Sequence, residues 1–384
     1  MKYFIRILFL AFILFNCSNS NNSTDDTPDD LTDDVIPMPE PTFYKGMDLS
    51  FQSELEDYNV VYKDTNGNPV QLLDYVSNNG TNLVRLKLWH TPEDGQNGLT
   101  DVKAYAQRIK AKNIAFLLDF HYSDTWADPG HQAPPLAWQS MSSEEIKIAI
   151  YTYTKDVVQQ LKNQNTLPTI IQIGNETDSG FLWDYGRVWD AFADNWHNYA
   201  GLVNEAIRAI REVDTDNSVK IMLHHSSVEN AIYFFTELQP LNIDFDVIGL
   251  SYYPQFQTHN LNLVQSKLNQ LATNFDKEIM MVEVAYPFTL EWDDDSNNYI
   301  GDNSQILSEF SATPEGQKAY FQWLVTTIKA IPNDKGIGFC YWAPDWVAFT
   351  GNNATSTNGS AWENQCMFDF NHEALPVFDV FNAN

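Results

Sequence analysis

Two glutamates, Glu176 and Glu283, stand where short apolar runs end, in IIQIGNE and IMMVEVAYPF. A buried-looking strand that ends in a carboxylate places an ionisable group at the edge of the hydrophobic core. Two facing carboxyl groups over a sugar-sized space can hydrolyse a glycoside, because one donates a proton to the leaving oxygen while the other attacks or activates water. The pair therefore indicates sugar chemistry, provided that the fold brings the two strand ends together.

Polar and aromatic side chains stand where the other apolar runs stop, and their types suit the binding of a sugar. Asn175 is placed to reach a sugar 2-hydroxyl, a contact that strengthens toward an oxocarbenium-like transition state. Flat tryptophan rings stack on sugar faces, and Trp342 is the candidate for the platform beneath the sugar at the cleavage point. The candidate substrate contacts are Asp48, Arg85, His121, Asn175, His224, Tyr252, Trp126 and Trp342.

The two glutamates need different protonation states, since one must donate a proton near neutral pH while the other stays ionised. A positive charge from Arg85 and a hydrogen bond from Tyr252 are both expected to favour the charged form of Glu283. Two alternatives stay open. The first is that Arg85 forms an ion pair that stabilises the fold and takes no part in catalysis. The second is that His224 and His225 only cap the end of a strand.

Short apolar runs alternate with longer amphipathic segments from Phe43 onward, which is the pattern of repeated βα units. Eight such runs predict a (β/α)8 TIM barrel that forms a single catalytic domain, residues 42–384. The active site of that fold forms at the carboxyl ends of the strands, so Glu176 on the fourth strand and Glu283 on the seventh are expected to face each other. The strand candidates are Tyr44–Leu49, Asn82–Leu88, Ile114–Phe120, Thr169–Gly174, Lys220–His224, Val247–Ser251, Ile279–Val282 and Ile337–Trp342.

The amphipathic segments predict the helices of these units. Polar residues in front of two segments fit N-terminal caps, Ser142 or Ser143 in one case and Thr313 in the other. The helix candidates are Asp101–Lys112, Ser143–Asn163, Trp189–Val213, Leu261–Asn274 and Pro314–Ile331.

The composition excludes two classes of partner. The chain has 384 residues, 43% of them hydrophobic, and a formal net charge of −29. Nucleic acids and anionic membrane surfaces are polyanions, so a protein of this charge is not expected to bind them. A neutral substrate is favoured, and we expect a monomer. The sequence has no phosphate-binding glycine motif and no Cys-x-x-Cys pair, which implies no organic cofactor.

The first residues carry an export signal. Lys2 and Arg6 precede an apolar segment that is too short to span a bilayer and ends at Cys17. Residues 1–17 resemble a bacterial lipoprotein signal, in which the cysteine is lipidated, and an ordinary cleaved signal peptide is the alternative. Residues 18–41 are polar and acidic, as expected of a disordered tether, and resemble the export segments of Bacteroidetes surface lipoproteins. We therefore expect a lipid-anchored protein at the outer membrane or cell surface.

Two further cysteines, Cys340 and Cys366, lie in apolar surroundings, in GFCYW and CMFDF. An exported protein can pair such residues. Two buried free thiols are the simpler interpretation. In either case the fold does not depend on a disulfide framework.

Several stretches of the chain resemble glycoside hydrolase family 53, the endo-β-1,4-galactanases. The Asn-Glu pair of IGNE marks only a large clan of retaining (β/α)8 hydrolases. DFHYSDTWADPG at Asp119–Gly130 and GSAWENQ at Gly359–Gln365 are much narrower. The similarity extends from Phe43 to the C-terminus and includes KGMDLS, VRLKLW, LSYYP, VEVAYPF and YWAPDW.

The resemblance implies that Glu176 is the general acid/base and Glu283 the nucleophile of a double displacement that retains the anomeric configuration. The two carboxyl groups are then expected about 5–5.5 Å apart. The implied reaction is the cleavage of internal β-1,4-galactosidic bonds in pectic galactan or type I arabinogalactan. Two alternatives stay open: a relative in the same clan that acts on mannan, xylan or cellulose, and a surface glycan-binding lipoprotein without catalysis.

An acidic loop follows the second glutamate, with oxygen-bearing side chains at every second position of TLEWDDDSNNYIGD. Calcium takes such ligands and tolerates irregular loop geometry. The resemblance also implies calcium in this region, as in bacterial members of the family. We therefore expect a structural Ca2+, with a solvated acidic loop as the alternative. The candidate ligands are Glu291, Asp293, Asp295 and Asn297.

Overall fold

Eight parallel strands close into a barrel in the computed structural model, which describes residues 43–350 and 359–383. Each barrel strand pairs with the next along the chain and the eighth pairs with the first, so the predicted (β/α)8 fold is confirmed. The predicted signal peptide (1–17) and tether (18–41) lie outside the described residues. The barrel strands, β1 to β8, are Tyr44–Asp48, Leu83–Leu88, Ala115–Phe120, Ile170–Ile173, Lys220–His225, Val247–Tyr252, Glu278–Val284 and Gly336–Tyr341.

Two of the helices begin where the sequence supplies a cap, as predicted. The helix that starts at Ser143 has a capping box, in which the Ser142 hydroxyl accepts the Glu145 N–H and the Glu145 carboxylate accepts the Ser142 N–H. The Thr313 hydroxyl accepts the Gly316 N–H at the start of a later helix. These bonds satisfy backbone donors that a helix end leaves free. Helices α1 to α9 are Gln52–Asp57, Leu72–Asn78, Leu99–Ala111, Ser143–Asn163, Trp196–Val213, Ala231–Leu238, Leu261–Phe275, Pro314–Lys329 and Phe378–Asn382.

The predicted helix Trp189–Val213 is wrong at its start, because α5 begins only at Trp196. Asp190 has a φ of +57°, a left-handed conformation that interrupts a helix. Before it, Gly180–Phe181 pairs with Gly186–Arg187 as a short hairpin. The segment after β4 is therefore a shaped loop at the mouth of the barrel.

A second short hairpin pairs Tyr62–Lys63 with Pro69–Val70.

The inner face of the barrel changes from apolar to polar along the strands. Since successive side chains of a strand point to opposite faces, every second residue faces inward. On β2 the inward series runs from Leu83 to Arg85, and on β4 from Ile170 to Gln172. The polar positions lie at the carboxyl ends, where a site on this fold must form. The apolar interior cluster contains Tyr44, Leu83, Leu117, Ile170, Met222, Val247, Met280, Val282, Ile337 and Cys340.

A larger hydrophobic core fills the space between the strands and the helices. In α4, Ile146, Ile150, Val157 and Leu161 are buried at helical spacing against this core. Full burial of such a side chain contributes roughly 1.5–3 kcal/mol. This packing holds the strand ends in fixed positions, on which the site depends.

Cys340 and Cys366 are both buried free thiols, which is the simpler of the two interpretations of the sequence. The pairing that the sequence left open does not occur in the structure. Separately, no helix within residues 43–350 or 359–383 combines the length and the apolar character that a bilayer span requires.

Candidate active site

A buried arginine gathers three carboxylates at the carboxyl-terminal end of the barrel. Arg85 on β2 is 1% exposed, and its Nη1 lies 2.7 Å from Asp48 Oδ2 on β1. Its Nη2 lies 2.8 Å from Asp119 Oδ2 on β3 and 2.9 Å from Glu283 Oε1 on β7. A buried charge is tolerated only with partners of opposite charge. Arg85 therefore belongs to the fold and to the site together, because one of its partners is the predicted nucleophile.

Glu283 reaches the barrel interior through a β-bulge. Val282 of β7 faces the interior, so strict alternation would put Glu283 on the outer face. The pairing of β7 with β6 shifts between Leu250 and Ser251, and Glu283 pairs with Ser251. An extra residue in one strand re-aims the side chains that follow it. Here the bulge turns the carboxylate toward Arg85.

Tyr253, and not Tyr252, donates a hydrogen bond to Glu283, so the expectation for Tyr252 is wrong. The Tyr253 hydroxyl lies 3.0 Å from Glu283 Oε2. The Tyr252 hydroxyl donates instead to the Thr258 carbonyl at 2.8 Å, and its ring packs on α8. The strand period explains the difference: Ser251 faces inward, so Tyr253 does too, while Tyr252 faces the helices.

Glu176 is held between β5 and β6. Its backbone is left-handed, with a φ of +46°, three residues after β4 ends at Ile173. Its Oε1 lies 2.6 Å from Ser251 Oγ, and its N–H donates to His224 Nδ1 at 3.2 Å. A non-glycine residue keeps such a conformation only when its surroundings hold it. These two contacts fix the carboxyl group relative to the strands.

The surroundings raise the pKa of both glutamates, and that of Glu176 more. Burial raises the pKa of Glu283 to about 7, while the Arg85 charge and the Tyr253 hydroxyl act in the opposite direction. Burial raises the pKa of Glu176 well above its ordinary value, and the charges of Glu283 and Asp178 add to the rise. The neighbours act in the directions that catalysis needs, since Arg85 and Tyr253 favour the charge on Glu283 while Glu283 and Asp178 favour the proton on Glu176.

Asn175 is fixed at both ends of its amide. Its Oδ1 accepts from Arg85 Nη2 at 2.9 Å, and its Nδ2 donates to the Ala127 carbonyl at 2.8 Å. Gln172, buried on β4, donates to Asp119 Oδ1 at 2.7 Å and lies 3.2 Å from Asn175 Oδ1, so it links Asn175 to the carboxylates around Arg85. Asn175 thus keeps one orientation at the base of the mouth. Its contact with a sugar 2-hydroxyl stays a prediction.

His121 lies below the tryptophans of the mouth. Its Nε2 lies 3.0 Å from Asp119 Oδ2, and its Nδ1 accepts from Trp89 Nε1 at 3.1 Å. An indole N–H only donates, so the imidazole proton is on Nε2 and is donated to Asp119. His121 therefore connects the carboxylate cluster around Arg85 with the aromatic wall above it.

Aromatic rings form one wall of the mouth. Trp342, which follows β8, is half-buried, and its ring centre lies 6.1 Å from that of Trp126 and 6.0 Å from that of Phe51. Trp126 is 38% exposed. Rings of this kind offer flat faces to a sugar. The arrangement suits the predicted roles of Trp342 and Trp126, which stay predictions.

Lys87 stands one inward position above Arg85 on β2, enclosed by aromatic rings. Its Nζ lies 4.1 Å from the centre of the Phe51 ring and 4.0 Å from that of Trp126. A cation over an aromatic face is attracted to the ring electrons. Burial lowers the pKa of Lys87 to about 8. The side chain thereby stabilises the position of the Trp126 ring.

Five of the predicted substrate contacts are at most 3% exposed: Asp48, Arg85, His121, His224 and Tyr252. Their polar atoms bond to protein groups, so they support the residues above them, and direct contact with a substrate stays a prediction for each. His224 does more than end its strand, because it also bonds to the backbone of Glu176. The neighbouring His225 accepts the Ser227 N–H at 3.0 Å.

The four candidate calcium ligands are not brought together. Within residues 43–350 and 359–383, no group of three or more His, Cys, Asp or Glu side chains is placed to hold a metal ion. The alternation in the loop after β7 is real but one residue out of register, since Asp294 and Ser296 are buried while the candidates are exposed. The exposed candidates are Glu291, Asp293, Asp295 and Asn297.

Asp294 and Glu363 tie the loop after β7 to the chain after β8. The Asp294 carboxylate accepts the Ser360 N–H at 2.9 Å, and Glu363 Oε2 accepts the Asp294 N–H at 3.2 Å. Burial raises the pKa of Glu363 to about 7. The Asn298 amide oxygen is buried and has no hydrogen-bond partner. The side-chain oxygens of Asp294, Asn298 and Glu363 therefore fit a hard cation better than those of the four exposed candidates do.

A carboxyl group whose charged form is favoured by an arginine and a tyrosine, beside a second carboxyl group whose protonated form is favoured, is the arrangement of a retaining glycoside hydrolase on a (β/α)8 barrel. Comparison with known proteins agrees with this class. Residues 44–381 match the sequence profile of glycosyl hydrolase family 53. The chain belongs to that family.

Relatives resemble the chain over nearly the whole of their length. An arabinogalactan endo-β-1,4-galactanase of Cellvibrio japonicus is 36% identical over 349 residues, which are 89% of this chain and 91% of the relative. The family 53 catalytic domain of Ignisphaera aggregans superimposes with a TM-score of 0.82 at 34% identity, covering 90% of this chain and 97% of that one. A fungal β-1,4-galactanase gives a TM-score of 0.77 at 32% identity, covering 89% and 99%.

Five side chains of the site were not among the sequence predictions. Each occupies an inward position of a strand or of its direct continuation, so the two-residue period of the strands was the signal available. Asp119 and Tyr253 lie two residues from His121 and Ser251, on the same faces. The full set is Lys87, Asp119, Gln172, Ser251 and Tyr253.

We expect Tyr253→Phe to lower kcat/KM for glycoside hydrolysis about 10- to 100-fold, because the variant loses a donor to the ionised nucleophile. Loss of a hydrogen bond to the charged form raises the pKa of Glu283, so the acidic limb of the pH profile should move to higher pH. The pH dependence of kcat/KM measures both effects.

Tyr252→Phe is the matched control, since its hydroxyl bonds to a backbone carbonyl away from the glutamates. We expect its acidic limb to coincide with that of the wild type. A limb that moves in Tyr252→Phe and stays fixed in Tyr253→Phe contradicts the assignment.

Proposed function

We propose that this protein is an endo-acting retaining hydrolase that cleaves internal β-1,4-D-galactosidic bonds in pectic galactan and type I arabinogalactan. Family membership supports this, as do the named activities of relatives at 36% and 32% identity. The observation that carries the proposal is the contact of Glu283 with Arg85 and Tyr253. These contacts favour the charged form of the proposed nucleophile, while the surroundings of Glu176 favour its protonated form.

In the first step the Glu283 carboxylate attacks the anomeric carbon, and the bond from that carbon to the leaving oxygen breaks. Glu176 donates its proton to the leaving oxygen, so the departing sugar leaves as a neutral alcohol. The product is a glycosyl ester of Glu283. One carboxylate charge disappears on Glu283 as another appears on Glu176.

In the second step Glu176 acts as a base. The Glu283 charge is one cause of the raised pKa of Glu176, so the ester lowers that pKa again. Glu176 takes a proton from a water molecule, which attacks the anomeric carbon and releases the Glu283 carboxylate. The two inversions together retain the anomeric configuration.

Product analysis separates this proposal from a related activity on mannan, xylan or cellulose. We expect short oligosaccharides from potato galactan at a rate at least about 100-fold above that from β-mannan, xylan or carboxymethyl cellulose. Proton NMR of the first products should show the β-anomer. Rapid release from only one of the other polymers contradicts the galactan assignment.

Glu283→Gln separates a hydrolase from a surface protein that only binds glycans. The substitution keeps the shape and removes the charge, so turnover should fall about 10⁴-fold or more while galactan is still bound in affinity electrophoresis. Equal, negligible turnover in the wild type and the variant, with binding intact, indicates the binding protein.

We also propose that the loop after β7 binds a structural Ca2+. The inward oxygens of Asp294, Asn298 and Glu363 support this, and they replace the exposed quartet as candidate ligands. A bound cation would neutralise two carboxylates that lie close together in a buried setting. It would thereby stabilise the connection between the loops after β7 and β8.

Removal of calcium by a chelator should lower the melting temperature by about 2–4 °C or more, and added calcium should restore it. Asp294→Asn should abolish this response, and Asp295→Asn, on the exposed neighbour, should keep it. An unchanged melting temperature after chelation contradicts the proposal. A response lost only in Asp295→Asn favours the quartet.

We further propose that lipid on Cys17 anchors the protein, that residues 18–41 hold a monomeric catalytic domain away from the outer membrane, and that the substrate is met at the cell surface. The sequence pattern of residues 1–17 supports this. Cys17→Ala should move the enzyme from the detergent phase to the aqueous phase. Identical partition of both forms points to an ordinary cleaved signal.

A further inference from the structure

Glu176, His224 and Ser251 form a closed ring of three hydrogen bonds. The Glu176 N–H lies 3.2 Å from His224 Nδ1, and His224 Nε2 lies 2.9 Å from Ser251 Oγ. Ser251 Oγ in turn lies 2.6 Å from Glu176 Oε1. The ring begins and ends on Glu176, so it fixes the carboxyl group relative to its own backbone.

The hydrogen bonds of this ring have one consistent direction. A backbone N–H only donates, so His224 Nδ1 accepts and the imidazole proton is on Nε2. Gln172 Nε2 lies 3.1 Å from the same Nδ1 as a second donor. Asn175 Oδ1 also lies 3.0 Å from this Nδ1, but that oxygen already accepts from Arg85 and Gln172, and a proton on Nδ1 would face the Glu176 N–H. His224 Nε2 therefore donates to Ser251 Oγ. The Ser251 hydroxyl then directs its own hydrogen to Glu176 Oε1.

His224 and Ser251 are both 0% exposed, so the part of the ring that they form is closed to water. Burial lowers the pKa of His224 well below its ordinary value, and the Arg85 charge lowers it further. The imidazole therefore stays neutral at working pH and has a single N–H. The direction of the ring does not reverse as the pH changes.

We infer that Ser251 and His224 are positioning residues that assign the transferred proton to Oε2 of Glu176, a role that rests on the proposed hydrolytic function. Oε1 already accepts the Ser251 hydrogen, so the acidic proton resides on the other oxygen. In the first step the Oε2–H bond breaks and an O–H bond forms on the leaving sugar. The electron pair stays on the carboxylate, where the Ser251 donor stabilises it. In the second step Oε2 takes a proton from the attacking water.

The charged groups around Glu176 act against Ser251. After burial, the negative charges of Glu283 and Asp178 raise the pKa of Glu176, whereas the Ser251 hydrogen bond lowers it. Removal of the Ser251 hydroxyl therefore raises this pKa further. The groups that face Glu176 are Glu283 of β7, Tyr253 after β6, His224 of β5, Asp178 after β4 and Asp128 after β3.

Ser251→Ala tests the inference with two substrates that differ in their need for an acid. Galactan loses a sugar alcohol that must be protonated, so kcat/KM should fall about 10- to 100-fold. A dinitrophenyl β-galactobioside loses a group that leaves without a proton, so kcat/KM should stay within about 3-fold of the wild type. On galactan the basic limb should move to higher pH, because that limb reports the loss of the Glu176 proton.

Three control variants keep the test independent of folding defects. Ser251→Thr keeps the hydroxyl and should restore both the galactan rate and the basic limb. His224→Gln places an amide near the former Nε2 and can still donate to Ser251, whereas His224→Asn places it near Nδ1 and cannot. The Gln variant should therefore stay closer to the wild type in its ratio of galactan to dinitrophenyl activity. Melting temperatures identify any variant that is not folded.

An equal fall on both substrates with an unmoved basic limb shows a purely structural role for Ser251 and overturns the inference. Unchanged activity on both substrates overturns it as well. Failure of the proposed function itself is distinguishable, because the wild type would then release nothing from galactan before any variant is compared.

Discussion

The ion cluster around Arg85 is the interaction on which the rest of the site depends. The guanidinium meets carboxylates from β1, β3 and β7 at 2.7, 2.8 and 2.9 Å. Closure of the barrel forces these carboxylates together, and without a positive charge among them their mutual repulsion in a buried setting would oppose folding. Arg85 therefore serves the fold and Glu283 at once. An inward-facing arginine on β2 offsets the repulsion in the closed barrel and favours the charged form of Glu283.

The two glutamates show how partners decide the role of a carboxyl group. Glu283 is buried and Glu176 is half-buried, and burial alone would favour the protonated form of both. Glu283 has a cation and a phenol against its oxygens, which favours the charged form. Glu176 has only the Ser251 hydroxyl as a donor, which favours the charged form. The negative charges that it faces favour the neutral form. Because each charge acts on the other group, formation of the glycosyl ester on Glu283 prepares Glu176 for its second role.

The eight strands could be predicted because they show directly in the sequence as apolar runs that stop at polar residues, and the same runs place Glu176 and Glu283 at strand ends. The details that failed depend on register. The sequence predicts Tyr252 as the donor to Glu283, but the inward position of Ser251 makes Tyr253 the donor. The orientation of Glu283 depends on a bulge that no local pattern indicates. The calcium ligands stay a prediction, because alternation in a loop does not say which set of residues faces inward, and here Asp294 and Ser296 are buried while the predicted four are exposed. The start of α5 was missed because its amphipathic pattern continues into a folded loop.

The most direct measurement is a carbon-13 NMR titration of the carboxyl carbons of Glu176 and Glu283 in the wild-type enzyme. Glu176→Gln and Glu283→Gln assign the two signals, and the site-specific shifts separate the coupled protonation steps. We expect Glu283 to ionise at the lower pH and Glu176 to keep its proton to a higher pH. The reverse order, with Glu176 ionised while Glu283 is still protonated, would contradict the assignment of nucleophile and acid.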